Sequence, residues 1–229
     1  MFQTLFPMND KNGSIERITL RDVIPTVFAG LPSSEIWGRT VQFERGKNYL
    51  LRAESGSGKS SLCSFIYCAR RKPEYNGTIL FDDRDISKFS KSETTSFRRR
   101  NIAYLPQDML LFGDLTALEN IRLKNSLTGY KSPEQIREMM DRLGIGDCAD
   151  RKTRFLSVGQ QQRVAIVRAL CQPFDFLLLD EPVSHLDNRN NDLAAELIAD
   201  ETAATGAAVI ATSVGADINF KNPFKLISL

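Results

Sequence analysis

The chain has 229 residues with 30 basic and 28 acidic side chains, a net charge of +2. That length suits one large domain, or one with an embedded subdomain, and the balanced charge asks for neither nucleic acid nor an anionic surface as a partner. Its four cysteines, Cys63, Cys68, Cys148 and Cys171, lack the C-x-x-C spacing of a metal site and read as reduced core thiols. No stretch approaches the length of a bilayer span, and residues 1–10 lack a basic segment followed by a long apolar run, so membrane association is expected only through a partner.

In chain order, residues 15–27 and 40–53 are expected as strands. They are separated by Gly30-Leu31-Pro32-Ser33-Ser34, and Arg45-Gly46-Lys47 makes a turn inside the second. Apolar Tyr49, Leu50 and Leu51 then lead into Ala53-Glu54-Ser55-Gly56-Ser57-Gly58-Lys59-Ser60-Ser61, and Leu62, Phe65, Ile66 and Ala69 follow at helical spacing. A strand, a glycine-rich loop and a helix start form a phosphate-binding loop: N–H groups from Glu54, Ser55, Gly56, Ser57, Gly58 and Ser61 and the helix dipole converge on an anion, Lys59 adds a point charge, and the Ser60 hydroxyl suits Mg²⁺. Ala53 stands where the first glycine of G-x-x-x-x-G-K-[ST] belongs. A plain Ser/Gly-rich turn is the competing reading, and the strand-to-helix context weighs against it.

Residues 77–81 are expected as a strand, 82–91 as a polar connector, and 102–105 as a further strand. Arg98-Arg99-Arg100 has no interleaved aromatics and reads as a solvated face rather than a nucleic-acid site. After Gln107, Thr116…Glu119 and Ser132…Gln135 are capping boxes, with Pro133 at a first helical position. Ile136, Met139, Met140 and Leu143 share one face, a core stripe or an adaptable partner-docking patch, and Gly144 is a stop. The stretch from 108 to about 156 thus reads as a helical insertion, after which a helix starts at Ser157.

Phe176-Leu177-Leu178-Leu179 is expected as a strand buried on both faces that delivers Asp180 and Glu181 at its carboxyl end. With a phosphate loop present, Asp180 can hold Mg²⁺ through water while Glu181 orients an attacking water; without one, the pair is a solvated strand end. A helix over 188–205, a strand over 208–212 and a last strand near 225–229 complete the chain.

Leu156-Ser157-Val158-Gly159-Gln160 resembles the signature of the ATP-binding cassette (ABC) ATPases. Gln107 in Tyr-Leu-Pro-Gln resembles their Q-loop and Ser184-His185-Leu186-Asp187 their D-loop, in the family's order around the phosphate loop and Asp180-Glu181. Residues 98–107 and 115–121 are similar to the lipoprotein-releasing, macrolide-exporting and cell-division branch. The resemblance implies an α/β fold of P-loop NTPase type with a mixed β core, an N-terminal antiparallel β subdomain and a helical subdomain inserted after the Q-loop, about 108–170 within a single 1–229 domain. It implies ATP and Mg²⁺ as ligands, with Ser60, Gln107 and Asp180 at the metal and Glu181, Gln107 and Ser213 at the chemistry.

It further implies a head-to-tail dimer, of identical or sister subunits, in which Ser157, Gly159 and Gln160 address the γ-phosphate of ATP held by the other subunit. Phe28 matches the aromatic that stacks on adenine; Trp37 competes but falls where a core residue is wanted. The sole histidine, His185, reads as a D-loop spacer. The implied protein sits on the cytoplasmic face of a membrane through a membrane-spanning permease, without inserting itself and without nucleic acid. Three departures bear on activity: Ala53, Val158 in place of a signature glycine, and Ser213 in place of the switch histidine, which can hydrogen-bond a γ-phosphate but carries no charge. Two functions follow: an ATP-hydrolysing transporter subunit, favoured by Glu181, or a nucleotide-binding regulatory module with little turnover, favoured by Ser213.

Overall fold

The computed structural model describes residues 13–28, 30, 34–215, 218–220 and 224–229; residues 31–33 of the expected first loop lie outside them. Strands β1 (Arg17–Pro25), β2 (Thr40–Glu44), β4 (Tyr75–Phe81) and β5 (Arg84–Asp85) form an antiparallel sheet in the order β2-β1-β4-β5. Strands β3 (Asn48–Arg52), β6 (Ile102–Leu105), β7 (Phe176–Asp180), β8 (Ala208–Ser213) and β9 (Lys225–Ser228) form a wholly parallel sheet in the order β6-β7-β8-β3-β9.

Side-chain alternation explains why the parallel sheet needs cover on both faces. Phe176 and Leu178 of β7, with Ala208 and Ile210 of β8, enter a core shared with the antiparallel sheet and helix α1 (Lys59–Ile66). The intervening Leu177, Leu179, Val209 and Ala211 enter a second core with α3 (Ala117–Asn125), α4 (Pro133–Arg142), α5 (Val158–Leu170) and α6 (Asn188–Thr205). The expected capping boxes at Thr116 and Ser132 are formed, and Gly144, at φ +61, ends the α4 turn in a left-handed conformation. Met139 and Met140 are buried, so that pair is core and not a docking patch. All four cysteines are free and buried.

One stretch differs from expectation. Residues 91–100, where the sequence offers only the end of the connector at 91 and the basic run at 98–100, form helix α2 (Lys91–Arg100), started by a capping box between Ser90 and Glu93. Phe97 is its one large buried apolar residue, so hydrophobic periodicity is nearly silent there while the cap is explicit. Nor is Arg98 a solvated charge: its guanidinium donates to Tyr67 O at 2.9 Å and Cys68 O at 2.8 Å, satisfying carbonyls just past the end of α1.

Candidate nucleotide site

Strand register assembles the site. Leu51 of β3 is level with Thr212 of β8, Arg52 with Ser213, and Asp180 of β7 with Thr212. The phosphate loop, Ser213 and the Asp180-Glu181 pair therefore leave neighbouring strands at one edge, the carboxyl end where open α/β sheets bind ligands.

The loop after β3 turns on Gly56 at φ +83 and Gly58 at φ +94. Gly58 is the N-cap of α1 without a side-chain cap, so the first-turn N–H groups of Lys59, Ser60 and Ser61 have no intrahelical partner and face outward for an anion. A Cβ on Gly58 would lie 2.9 Å from Trp37 and 3.0 Å from Phe28, so only glycine fits against this aromatic wall. Trp37 is buried and its indole N–H donates to Ser57 O at 2.9 Å, a core residue that pins the loop. Phe28 is half-buried and meets Trp37 edge-on with centroids 5.9 Å apart, which puts it beside the loop. Ala53 is not among the residues with positive φ, so its methyl costs no backbone strain there.

Lys59 is buried, its ammonium donating to Ala53 O at 3.1 Å and Glu54 O at 2.7 Å. Ser61 is engaged away from the loop, accepting from Arg70 at 3.1 Å, so any part it takes in phosphate binding runs through its backbone. Asp180 is buried; Thr212 Oγ1 donates to its Oδ1 at 2.7 Å, while among the described residues its buried Oδ2 has no hydrogen-bond partner. An orphaned carboxylate oxygen on the phosphate-loop edge, with the Ser60 hydroxyl in the first turn of α1, is a hard-oxygen donor set that fits Mg²⁺.

Glu181 has φ +51, a left-handed conformation rare for a branched-free but Cβ-bearing residue, and its backbone is held on both sides. Its N–H donates to Thr212 Oγ1 at 3.1 Å, and its carbonyl accepts from Gln162 Nε2 at 3.1 Å and Ser184 Oγ at 3.1 Å. Gln107 Nε2 donates to Glu181 Oε2 at 3.2 Å, so the structure brings these two expected residues together. Ser213 is buried and its hydroxyl accepts from Gly215 N–H at 3.1 Å; a cavity of about 520 Å³ opens between it and Ala53 to Ser55.

The expected signature residues form the start of α5. Ser157 caps it, accepting from Gln160 N–H at 3.2 Å, while Gln160 Oε1 accepts from Ser157 N–H at 3.0 Å; Val158 is 48% exposed. Both polar side chains thus serve the helix end, leaving the turn at Val158-Gly159 as its outward surface. Two residues that sequence reasoning missed tie these parts together: Thr212 and Gln162. The only sign of Thr212 was a polar residue ending an apolar strand, and Gln162 gave none beyond the glutamine run.

A separate groove of about 300 Å³ runs beside Tyr104 and Pro106, with Leu110, Phe112, Leu123 and Leu127 exposed in or around it. Met109 and Leu110 take positive φ of 57° and 48°, and Arg168 of α5 donates to both their carbonyls, at 2.7 Å for Leu110. Lys124 also lines the groove, where burial and the repulsion of Arg168, Arg98 and Arg99 push its ammonium down to about 8.

A family model described as ABC transporter matches residues 38–184. An uncharacterized ABC transporter ATP-binding protein of Thermotoga maritima is 35% identical over 164 residues, covering 69% of this chain and 69% of its own. The lipoprotein-releasing system ATP-binding protein of Nitratidesulfovibrio vulgaris is 31% identical over 76% of this chain and 75% of its own. A macrolide export ATP-binding/permease protein of a Shewanella strain is 32% identical over 68% of this chain, which spans 24% of that protein's length. Among solved structures, a dimeric ATP-binding cassette in a post-hydrolysis state bound to ADP and Pi superposes with a TM-score of 0.74 at 28% identity, covering 88% of this chain and 89% of that one. A dimeric bacterial ABC transporter cassette does so with a TM-score of 0.76 at 26% identity, covering 92% and 94%.

Proposed function

Since this chain belongs to the ABC transporter family as an ATPase of that kind, we propose that it binds Mg²⁺-ATP between its own phosphate loop and the α5 turn of a second subunit, and hydrolyses it to drive a membrane-spanning permease. The observation that carries the reading is the convergence, at one sheet edge, of Lys59, a buried Asp180 with a free oxygen, and a Glu181 whose backbone and carboxylate are both held.

Each side chain has a task. The N–H groups of the loop and α1 take the phosphates, and Lys59 exchanges its two carbonyl partners for phosphate oxygens. Ser60 and Asp180 would hold Mg²⁺, with Gln107 beside them. When bound, the ion supplies charge neutralisation on the phosphoryl oxygens. Glu181, clamped by Thr212, Gln162 and Gln107, accepts a hydrogen bond from the attacking water and orients it in line. Phe28 stacks on adenine. Ser213 offers a hydroxyl but no charge where turnover needs support, so hydrolysis is slow, and a regulatory module is the reading that its absence would favour.

The permease docks on the groove beside Tyr104, and its docking segment carries apolar side chains and a carboxylate, because the groove pairs apolar walls with Lys124 and Arg168. The helices that frame it, within about 108–170, act as the subdomain that moves with that partner, and the chain stays on the cytoplasmic face through it. Among the described residues no helix is long and apolar enough to cross a membrane.

Phosphate release by the purified chain with Mg²⁺-ATP tests the reading. Glu181→Gln should abolish turnover while ATP still raises the melting temperature; Lys59→Ala should lose that thermal shift. Normal ATP affinity in the lysine variant would sink the site assignment.

A further inference from the structure

We propose that Gln162 is a positioning residue through which the α5 turn of one subunit, on meeting nucleotide held by the other, sets the water-orienting Glu181 of its own chain. The inference rests on the reading that Glu181 orients the water and that the α5 turn meets the second nucleotide.

The α5 turn and the segment after Glu181 are in direct contact: a Cβ on Gly159 would lie 2.9 Å from His185 O. One turn further on, at i+3 and so on the same helix face, stands Gln162, a buried amide with every polar atom committed across the gap. Its Nε2 donates to Glu181 O at 3.1 Å and lies 3.5 Å from Ser184 Oγ, while its Oε1 accepts from His185 N–H at 3.0 Å. The amide therefore bridges both ends of the Glu181–His185 turn and joins that turn to α5. The Glu181 carbonyl it grips belongs to a residue at φ +51, a conformation that persists only where the surroundings over-determine it.

A helix start that shifts to meet a phosphate carries Gly159 and Gln162 with it as one rigid turn. Gly159 pushes on the His185 carbonyl and Gln162 pulls on the neighbouring amide and on Glu181 O, so the glutamate carboxylate, which accepts from Gln107 Nε2, is re-aimed. Each site's chemistry then depends on the nucleotide bound at the opposite site, with no residue moving more than its packing allows.

The test is Gln162→Glu, which keeps size and the acceptor for His185 N–H but replaces the donor to Glu181 O. Turnover at saturating ATP should fall roughly tenfold with the KM for ATP within about twofold of wild type, the scale of a coupling residue that touches no ligand. Because protonating the introduced carboxyl restores a donor, and burial at this position raises that carboxyl above the ordinary glutamate range, the variant's rate relative to wild type should recover as pH falls from 8 toward 5.5. In parallel, hydrogen exchange at the Glu181 amide, on the residue whose carbonyl loses its donor in the variant, is followed with Mg²⁺ and a non-hydrolysable ATP analogue: wild type should gain protection and Gln162→Glu should not, while both bind the analogue. Wild-type turnover in the variant, or a loss without recovery at low pH that tracks a lowered melting temperature, overturns the proposal. If wild type does not hydrolyse ATP at all, the hydrolysis reading fails, and the exchange arm alone decides: protection lost in the variant upholds the role of Gln162, protection kept overturns it.

Discussion

Thr212 donates a 2.7 Å hydrogen bond to Asp180 Oδ1 from the adjacent parallel strand, and the same hydroxyl oxygen accepts the N–H of Glu181 at 3.1 Å. One buried hydroxyl thus fixes which Asp180 oxygen stays free for a cation and anchors Glu181 in its left-handed turn. Thr212→Val keeps shape and removes both bonds, leaving a buried carboxylate oxygen and an N–H unpaired. The expected cost is about 1–3 kcal/mol in denaturant unfolding, together with a higher Mg²⁺ requirement for ATP binding. Thr212→Ser should restore most of both. A valine variant with the wild-type midpoint and Mg²⁺ dependence would show that the hydroxyl has no such role.

The two aromatics at the phosphate loop should separate cleanly. Trp37 is buried and bonded to Ser57 O, so Trp37→Ala should destabilise the chain by about 3–5 kcal/mol, as a large core truncation does. Phe28 is half-buried, so Phe28→Ala should leave the melting temperature nearly unchanged and weaken ATP binding by about 1–3 kcal/mol through lost base stacking. Titration calorimetry on both variants checks this, and unchanged affinity in Phe28→Ala would remove it from the adenine site.

Much of this arrangement is legible in the sequence because it is written in local chemistry. The four-residue apolar run before Asp180 can only be a strand covered on both faces, and Thr116…Glu119 and Ser132…Gln135 announce helix starts. Helix α2 was equally announced, by Ser90…Glu93, but its single large apolar residue left no period to read. Thr212 and Gln162 were not legible for a different reason. Their roles come from strand register and from the approach of α5 to the Glu181–His185 turn, neither of which is encoded within a window of residues.

Ser213 sits at the end of β8 beside a cavity of about 520 Å³ bounded by Ala53 to Ser55. Ser213→His should raise phosphate release, by as much as about 10²–10³ if the ring reaches transition-state charge, and should do so only while Glu181 is intact. A variant that folds and binds ATP yet hydrolyses no faster would mean that the missing histidine is not what limits turnover.

The last prediction turns on Lys124, because its charge is unfavourable to the free chain. Burial, with Arg168, Arg98 and Arg99 adding repulsion, pushes its pKa from 10.5 down to about 8. The protonated form therefore costs more in the folded than in the unfolded chain. That penalty is fully present below about 8 and is relieved as pH rises toward 10.5, because over that window the unfolded state binds more protons and stability climbs with pH. Lys124→Met should consequently stabilise the isolated chain at pH 7, by roughly 1–3 kcal/mol given the burial of the group, and the advantage should shrink between pH 8 and 10. A cation kept at such a cost in an apolar groove is a poised partner for a carboxylate on the docking segment, so the same variant should lower recovery of the membrane-spanning partner when the chain is purified from membranes. Denaturant midpoints at pH 7 and 10 read the first effect and co-purification the second. A variant that is stabilised and still recovers its partner in full would place the docking contact elsewhere.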